Sequence, residues 1–134
     1  MKLLTTKINN GAFSAAMLFL RLGLGILLIH HGYMKMTHFQ ETEGFMINFL
    51  GMGKAISTSL VIFSEVFCSA LVILGLFTRF AAFINLFSMS IAFLVVHNGE
   101  GFGKGELDLV FMLGYFALVL TGPGKVSIDS MISK

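Results

Sequence analysis

The fold is decided by residues 18–39, which read LFLRLGLGILLIHHGYMKMTHF. With the apolar residues just before it, this stretch predicts a helix long enough to enter a bilayer, because about 20 residues span the hydrocarbon core. The run also carries Arg21 in its interior and His30, His31 and Lys35 towards its far end. A guanidinium in hydrocarbon costs roughly 2.5 kcal/mol or more. Arg21 therefore needs a partner or a wet cavity.

The second apolar stretch, at about residues 54–77, offers that partner in Glu65. Arg21 and Glu65 each fall roughly 13–17 Å from the predicted start of their helices, at 1.5 Å per residue. Antiparallel neighbours would place them at a similar depth, so we expect a buried Arg21–Glu65 ion pair. Such a pair either fixes the helix register or takes part in proton or ligand handling, and the spacing leaves both open.

Composition places the chain in a membrane. Of 134 residues, 56% are hydrophobic and 12% are charged, and a soluble domain of this size could not bury so much apolar surface. The net charge of +2 is too small for the basic surface that is typical of nucleic-acid-binding proteins, so no nucleic-acid partner is expected. Cys68 is the single cysteine, which excludes an intrachain disulfide.

Four apolar segments predict an all-α integral membrane four-helix bundle, one domain over residues 1–134, with helices at about 12–33, 54–77, 80–97 and 107–120. The side that holds both termini carries the basic residues Lys2, Lys7, Arg79, Lys125 and Lys134. The other side carries as many acidic residues as lysines, namely Lys35, Lys54, Lys104, Glu41, Glu43 and Glu100. The bias of basic residues towards the cytoplasm predicts cytoplasmic termini in a multi-pass protein of the inner or plasma membrane. Ser127 is expected to cap a short helical turn in the tail.

A polar mouth is predicted at the opposite, outer side. On a helical wheel His31 and Lys35 fall towards the face of Arg21, whereas His30 points away. His97 ends the third helix and Glu106 begins the fourth on the same side. The set His31, His97 and Glu106 would suit iron or zinc. The same groups would suit hydrogen bonds to a quinone carbonyl or a proton relay, and polar residues wetted at a helix end are the simplest alternative.

Taken in order, several short motifs resemble those of the DoxX family of small four-helix membrane proteins. They are Arg21-x-x-x-Gly25, His31-Gly32-x-x-Lys35, Glu65, Leu74-Gly75-Leu76-Phe77-Thr78-Arg79, His97, Gly105-Glu106-Leu107 and Gly122-Pro123-Gly124 with Ser127 and Asp129. The resemblance implies a subunit associated with thiosulfate:quinone oxidoreductase or with an oxidative-stress system. Because the chain has no haem-binding Cys-x-x-Cys-His, no flavin fingerprint and no paired cysteines, any redox role would be that of an accessory subunit and not of a stand-alone enzyme.

The resulting hypothesis is a membrane subunit that binds a quinone-like or other small ligand and works with a protein partner or as a homo-oligomer. His31, Lys35, His97 and Glu106 would line its mouth, above a floor formed by Arg21 and Glu65. Two alternatives remain open: a non-catalytic scaffold or assembly partner, and a small oligomeric transporter.

Overall fold

The computed structural model describes residues 3–45, 49–96, 99, 101–103 and 105–133, and the regular structure within these ranges is entirely helical. The helices are α1 (Asn10–Thr37), α2 (Phe39–Phe45), α3 (Lys54–Leu74), α4 (Thr78–Ile91), α5 (Glu106–Thr121) and α6 (Ile128–Ile132). A 3₁₀ turn occupies Phe49–Gly51, and π-helical turns occupy Ser64–Cys68 within α3 and Ala92–Val96 after α4. The all-helical prediction is confirmed for these ranges. His97 lies outside the described residues, as do Lys2, Glu100, Lys104 and Lys134.

The helix ends differ from the predicted ones where local caps decide them. α1 begins at Asn10 because Asn9 Oδ1 accepts hydrogen bonds from Gly11 N at 2.9 Å and Ala12 N at 3.2 Å. α3 ends at Leu74, three residues before the predicted end at 77, because Gly75 adopts a left-handed conformation (φ 71°). In the tail, Ser127 Oγ accepts from Ser130 N at 3.1 Å, which confirms the predicted cap.

The long helices pack in chain order, α1 on α3, α3 on α4 and α4 on α5, and α5 returns to α1. Two glycines of α1 let it approach α3 closely. A Cβ atom at Gly32 would lie 2.7 Å from Val66 Cγ2 and 2.9 Å from Glu65 Cβ, and one at Gly25 would lie 3.1 Å from the Ser69 carbonyl oxygen. These contacts fix the register of the two helices, as small residues do at membrane-helix interfaces.

The interior of the molecule combines an apolar core with buried polar side chains, and large apolar side chains cover much of the exterior. Arg21, Thr58, Glu65, Ser69 and Asn85 are buried, whereas large apolar side chains are exposed along the helices, among them Phe19, Ile26, Phe63, Phe80, Phe83, Leu113 and Phe116. α1 and α3 are long and apolar enough to cross a bilayer, and only 22% and 39% of their most apolar windows are buried. The helices of a soluble core would be mostly buried, so the exposed apolar surface identifies a membrane protein.

Candidate functional site

Glu65 is the most deeply placed acidic group of the described chain. It lies in the π-helical turn Ser64–Cys68, and its side chain is 0% exposed. π-helical turns insert one residue into a helix and occur frequently at functional sites. A buried carboxylate in such a turn is a candidate for chemistry as well as for structure.

The partner of Glu65 is Lys35, and the predicted Arg21–Glu65 pair does not form. Lys35 Nζ donates a hydrogen bond to Glu65 Oε1 in an ion pair, and 32% of the lysine side chain is exposed. Gly32, three residues before Lys35, packs against Glu65 and so brings Lys35 to its level. The predicted pairing is wrong because it compared the depth of each residue from the start of its own helix. α1 has 28 residues and α3 has 21, so the register in which the two helices pack decides which side chains meet.

Arg21 lies about 16 Å from Gly32 along α1, since eleven residues rise 1.5 Å each. Its guanidinium donates from Nη1 to the carbonyl oxygens of Pro123 at 2.8 Å and Val126 at 2.7 Å, and from Nη2 to that of Ile73 at 3.2 Å. We call these four groups the Arg21 clamp. The clamp joins α1, the C-terminal end of α3 and the tail. A cation at a helix C-terminus is favoured by the helix dipole, which explains why Arg21 is used there.

Asp129 completes the same end of the molecule. Its carboxylate accepts from Phe77 N at 2.8 Å and Thr78 N at 2.9 Å, and so caps α4, while its own N–H donates to Gly75 O at 2.8 Å. Partial burial raises the pKa of Asp129, but hydrogen bonds from Thr78 and Phe77 together with the Arg21 charge outweigh it, so this pKa lies below its ordinary value. The arrangement is structural.

A hydrogen-bonded chain crosses the interior one turn from Glu65. Asn85 Nδ2 donates to Ser69 Oγ at 3.3 Å, Ser69 Oγ lies 3.5 Å from Tyr115 OH, and Tyr115 OH donates to the Leu24 carbonyl oxygen at 3.3 Å. All three side chains are 0% exposed. The hydrogen-bonded chain links α4, α3, α5 and α1, and it was not predicted because its four residues are far apart in the sequence.

Several buried polar atoms near this chain have no hydrogen-bond partner among the described residues. They include Glu65 Oε2, Asn85 Oδ1 and Ser64 Oγ. An unsatisfied buried acceptor costs about 1–3 kcal/mol, and more when it is charged. Glu65 Oε2 and Asn85 Oδ1 call for a donor from water, a ligand or a proton, whereas the Ser64 hydroxyl can also donate.

His31, Lys35 and Glu106 of the predicted mouth lie in the described part of the chain, and the mouth itself stays a prediction. The His31 ring meets Phe111 edge-on at a centroid distance of 6.0 Å, and His30 is exposed as predicted. Asp108 acts electrostatically on both His31 and Glu65, a contribution the sequence did not single out. Glu106 is exposed at the first residue of α5, two residues before Asp108.

The predicted metal set of His31, His97 and Glu106 stays a prediction, because His97 lies outside the described residues. Within the described part of the chain, no three His, Cys, Asp or Glu side chains are grouped as metal ligands. Cys68 is buried as a free thiol within α3.

The family model of DoxX matches residues 16–98, which is more than half of the chain. The chain belongs to the DoxX family. A similar protein of Haemophilus influenzae, of uncharacterised function, is 32% identical over 126 residues, covering 87% of this chain and 90% of the relative. A second uncharacterised protein of that organism is 31% identical over 75 residues, covering 53% of this chain and 50% of the relative. No solved structure matches the chain.

The matched region of this DoxX protein contains α1 from residue 16 onwards, α3 and α4, and with them the charged side chains of Arg21, Lys35 and Glu65. The motif His31-Gly32-x-x-Lys35 positions the lysine that pairs with Glu65. The residues around Gly75 and Thr78 meet the Gly122–Asp129 stretch at the Arg21 clamp. These two sets of motifs thus belong to one candidate ligand site and to the structural Arg21 clamp, whereas His97 lies outside the described residues.

Proposed function

We propose that this DoxX protein binds a small quinone-class ligand between its helices and serves as an accessory subunit of a membrane redox system. The observation that carries the proposal is the half-paired Glu65 carboxylate. It is fully buried, one oxygen pairs with the partly exposed Lys35, and the other has no partner in the described chain. Intramembrane charges of this kind are costly and mark ligand or proton sites by default.

The residues present fit a quinone-class ligand. Lys35 and His31 offer hydrogen-bond donors to a ring oxygen, and Glu65 offers an acceptor. Phe111, which contacts His31, provides an apolar surface for a ring. When bound, such a ligand supplies reversible two-electron, two-proton chemistry. Because the chain has one cysteine and no haem or flavin motif, the electrons would come from a partner subunit.

The proposed setting is a bundle in which α1, α3, α4 with its π-helical extension, and α5 all cross the inner or plasma membrane, with both termini cytoplasmic. The Lys35 end would then open to the outer side and the Arg21 clamp would lie on the cytoplasmic side. Support comes from the packing order of the helices and from the basic residues near the termini.

Ligand extraction and binding test the proposal. Purified protein should carry quinone through gentle detergent extraction, and Lys35→Met should weaken rebinding about tenfold or more, since it removes a charged donor. Lys54→Met, which changes an exposed lysine at the start of α3, is the matched control and should bind normally. Repeated preparations without quinone and without rebinding would contradict the proposal.

A scaffold role is the second candidate, favoured by the tying of α1, α3 and the tail at the Arg21 clamp. It predicts that the Lys35–Glu65 pair merely fixes the register. The double variant Lys35→Glu with Glu65→Lys separates the two functions. Recovery of full activity in the native membrane would favour the scaffold, and a folded but inactive protein would favour ligand chemistry.

A further inference from the structure

We infer that Arg79 and Lys125 form a binding site for the phosphate group of an anionic phospholipid, at the end of the molecule that holds the Arg21 clamp. The inference concerns a part of the chain that the proposed ligand site does not use. It rests on the membrane arrangement given with the proposed function, in which α4 and α5 cross the bilayer, and not on the ligand at Glu65.

Arg79 reaches from the start of α4 to the end of α5. It is the second residue of α4, and a Cβ atom at Gly122 would lie 3.1 Å from its Nε and 3.2 Å from its Nη2. The guanidinium therefore lies against the backbone of Gly122, at a place where a side chain would displace it. Arg79 is exposed, and it has no hydrogen-bond or ion-pair partner among the described residues. Its planar fork of N–H donors is thus open to an oxyanion such as phosphate.

Lys125 lies on a loop whose backbone is fixed from inside the molecule. Arg21 Nη1 donates to the carbonyl oxygens of Pro123 and Val126, which stand on either side of this lysine. The Lys125 side chain is itself exposed, and no described residue pairs with it. The loop from Gly122 to Val126 therefore presents a guanidinium at its first residue and an ammonium three residues later.

The acidic residue beside this loop does not neutralise the two cations. The carboxylate of Asp129 already accepts hydrogen bonds from Phe77 N at 2.8 Å and Thr78 N at 2.9 Å, and its charge also acts on the buried Arg21. At the opposite end of the long helices the described charges have both signs, namely Lys35, Lys54, Glu41, Glu43, Glu106 and Asp108. Cationic charge therefore favours a phosphate at the end that holds the clamp.

Apolar side chains around the two cations favour a lipid over a soluble anion. Phe77 and Val126, each close in sequence to one of the cations, are 65% and 55% exposed. Exposed side chains then follow one face of α4 and one face of α5 at the spacing i, i+3, i+7, namely Phe80, Phe83, Phe87, Leu113, Phe116 and Leu120. A phospholipid whose phosphate binds Arg79 can lay its acyl chains along these faces, whereas a free anion or an acidic protein segment cannot use them.

The lipid selectivity of the full-length protein tests the inference. Nanodiscs would contain equal amounts of phosphatidylglycerol and phosphatidylcholine with identical acyl chains, and native mass spectrometry would count the lipids that stay bound after release. The wild-type protein should retain phosphatidylglycerol in preference. Arg79→Gln and Lys125→Gln should each lower that preference about fivefold, the factor expected for one basic residue near an anionic headgroup. Arg79→Lys should keep part of it, because the charge remains without the planar fork.

Lys7→Gln is the matched control. Lys7 is exposed and precedes the start of α1 at the same end of the molecule, so this variant loses an equal charge and leaves the site unchanged. It should keep the preference for phosphatidylglycerol. An equal loss in Lys7→Gln would overturn the inference, because the attraction would then come from the charge of the whole end and not from Arg79 and Lys125.

The remaining outcomes separate a lipid from other partners. Excess inorganic phosphate should displace no more phosphatidylglycerol than sodium chloride of the same ionic strength does, and stronger displacement would show a site for a soluble anion. A wild-type protein without any preference would likewise overturn the inference and leave the two cations to a partner such as an acidic protein segment. Because the measurement does not involve quinone, the lipid site and the proposed ligand site can each fail alone.

Discussion

Arg21 and Glu65 each place a charge in an apolar helix, and each is satisfied in a different way. Arg21 meets three neutral carbonyl oxygens, two of them in the tail, so its charge is spread over backbone dipoles at a helix end. Glu65 pairs with the ammonium group of Lys35 through Oε1, and its Oε2 has no partner among the described residues. Arg21 therefore holds the end of α3 and the tail together, although its Nε has no partner among the described residues, whereas Glu65 leaves one carboxylate oxygen open to a ligand.

Replacing Arg21 by lysine should weaken the tail's attachment by about 1.5–3 kcal/mol, because an ammonium cannot reproduce the planar fork that reaches all three carbonyls. Hydrogen exchange of residues 122–133 measures the effect and should become faster. Lys54→Arg, at an exposed lysine at the opposite end of α3, should leave the exchange unchanged. Equal effects of the two substitutions would contradict the role of the clamp.

At the scale of single residues, the sequence analysis predicted that Arg21 and Glu65 are buried, but its prediction that they pair with each other is wrong. The burial of Arg21 and Glu65 followed from their apolar surroundings. Their partners depend on where Gly32 meets α3 and on a tail that folds back over more than 100 residues of chain. Helical spacing predicts neither the register of two packed helices nor the folding of the tail back onto α1. It did place Lys35 on the same face of α1 as Arg21.

Among the helices, the close contact of α1 with α3 decides which side chains reach Glu65. Two glycines of α1 differ in their surroundings. A Cβ atom at Gly32 would crowd Val66 and Glu65, whereas one at Gly23 would meet nothing within 4 Å. The two positions thus provide a matched pair on one helix.

Gly32→Ala should destabilise the protein by about 1–3 kcal/mol through overpacking. Gly23→Ala should be neutral or stabilising by up to about 1 kcal/mol, since alanine favours a helix. Reversible unfolding in mixed micelles gives both values. A stable Gly32→Ala protein would show that α1 and α3 are less closely packed than described.

Asp129 couples the start of α4 to pH. Its pKa in the folded protein is lowered, so its contribution to stability is complete above the ordinary carboxyl pKa and is lost as the pH falls through the folded value. We expect the Phe77 and Thr78 amides to exchange faster in acid after correction for intrinsic rates. Asp129→Asn should show weakened protection at all pH values and no such pH step. A step that persists in the variant would point to another group.

On the scale of the whole molecule, composition and helical length were enough to predict an all-helical membrane protein, and the Ser127 cap was predicted as well, but the Asp129 cap of α4 and the docking of the tail were not. These features arise from contacts between distant residues, such as Asp129 with Phe77, which leave no periodic trace in the sequence. Sidedness likewise depends on the balance of basic residues and is open to direct measurement.

Cysteine labelling tests the proposed orientation. In a Cys68→Ala background, Gln40→Cys should react with a membrane-impermeant maleimide in intact cells, and Ser133→Cys should react only after lysis. Both positions are exposed, and the native Cys68 is buried, so the parent chain is a suitable unlabelled reference. Labelling of both positions in intact cells, or the reverse pattern, would contradict cytoplasmic termini.

The docking of the tail on α1 also bears on biogenesis. Two of the three carbonyl groups that receive the Arg21 guanidinium belong to residues 102 and 105 positions further along the chain. During translation the Arg21 guanidinium therefore lacks the two acceptors of the tail until nearly all later helices have left the ribosome. We expect nascent chains stopped before residue 123 to be recognised as unfinished and degraded by membrane quality control.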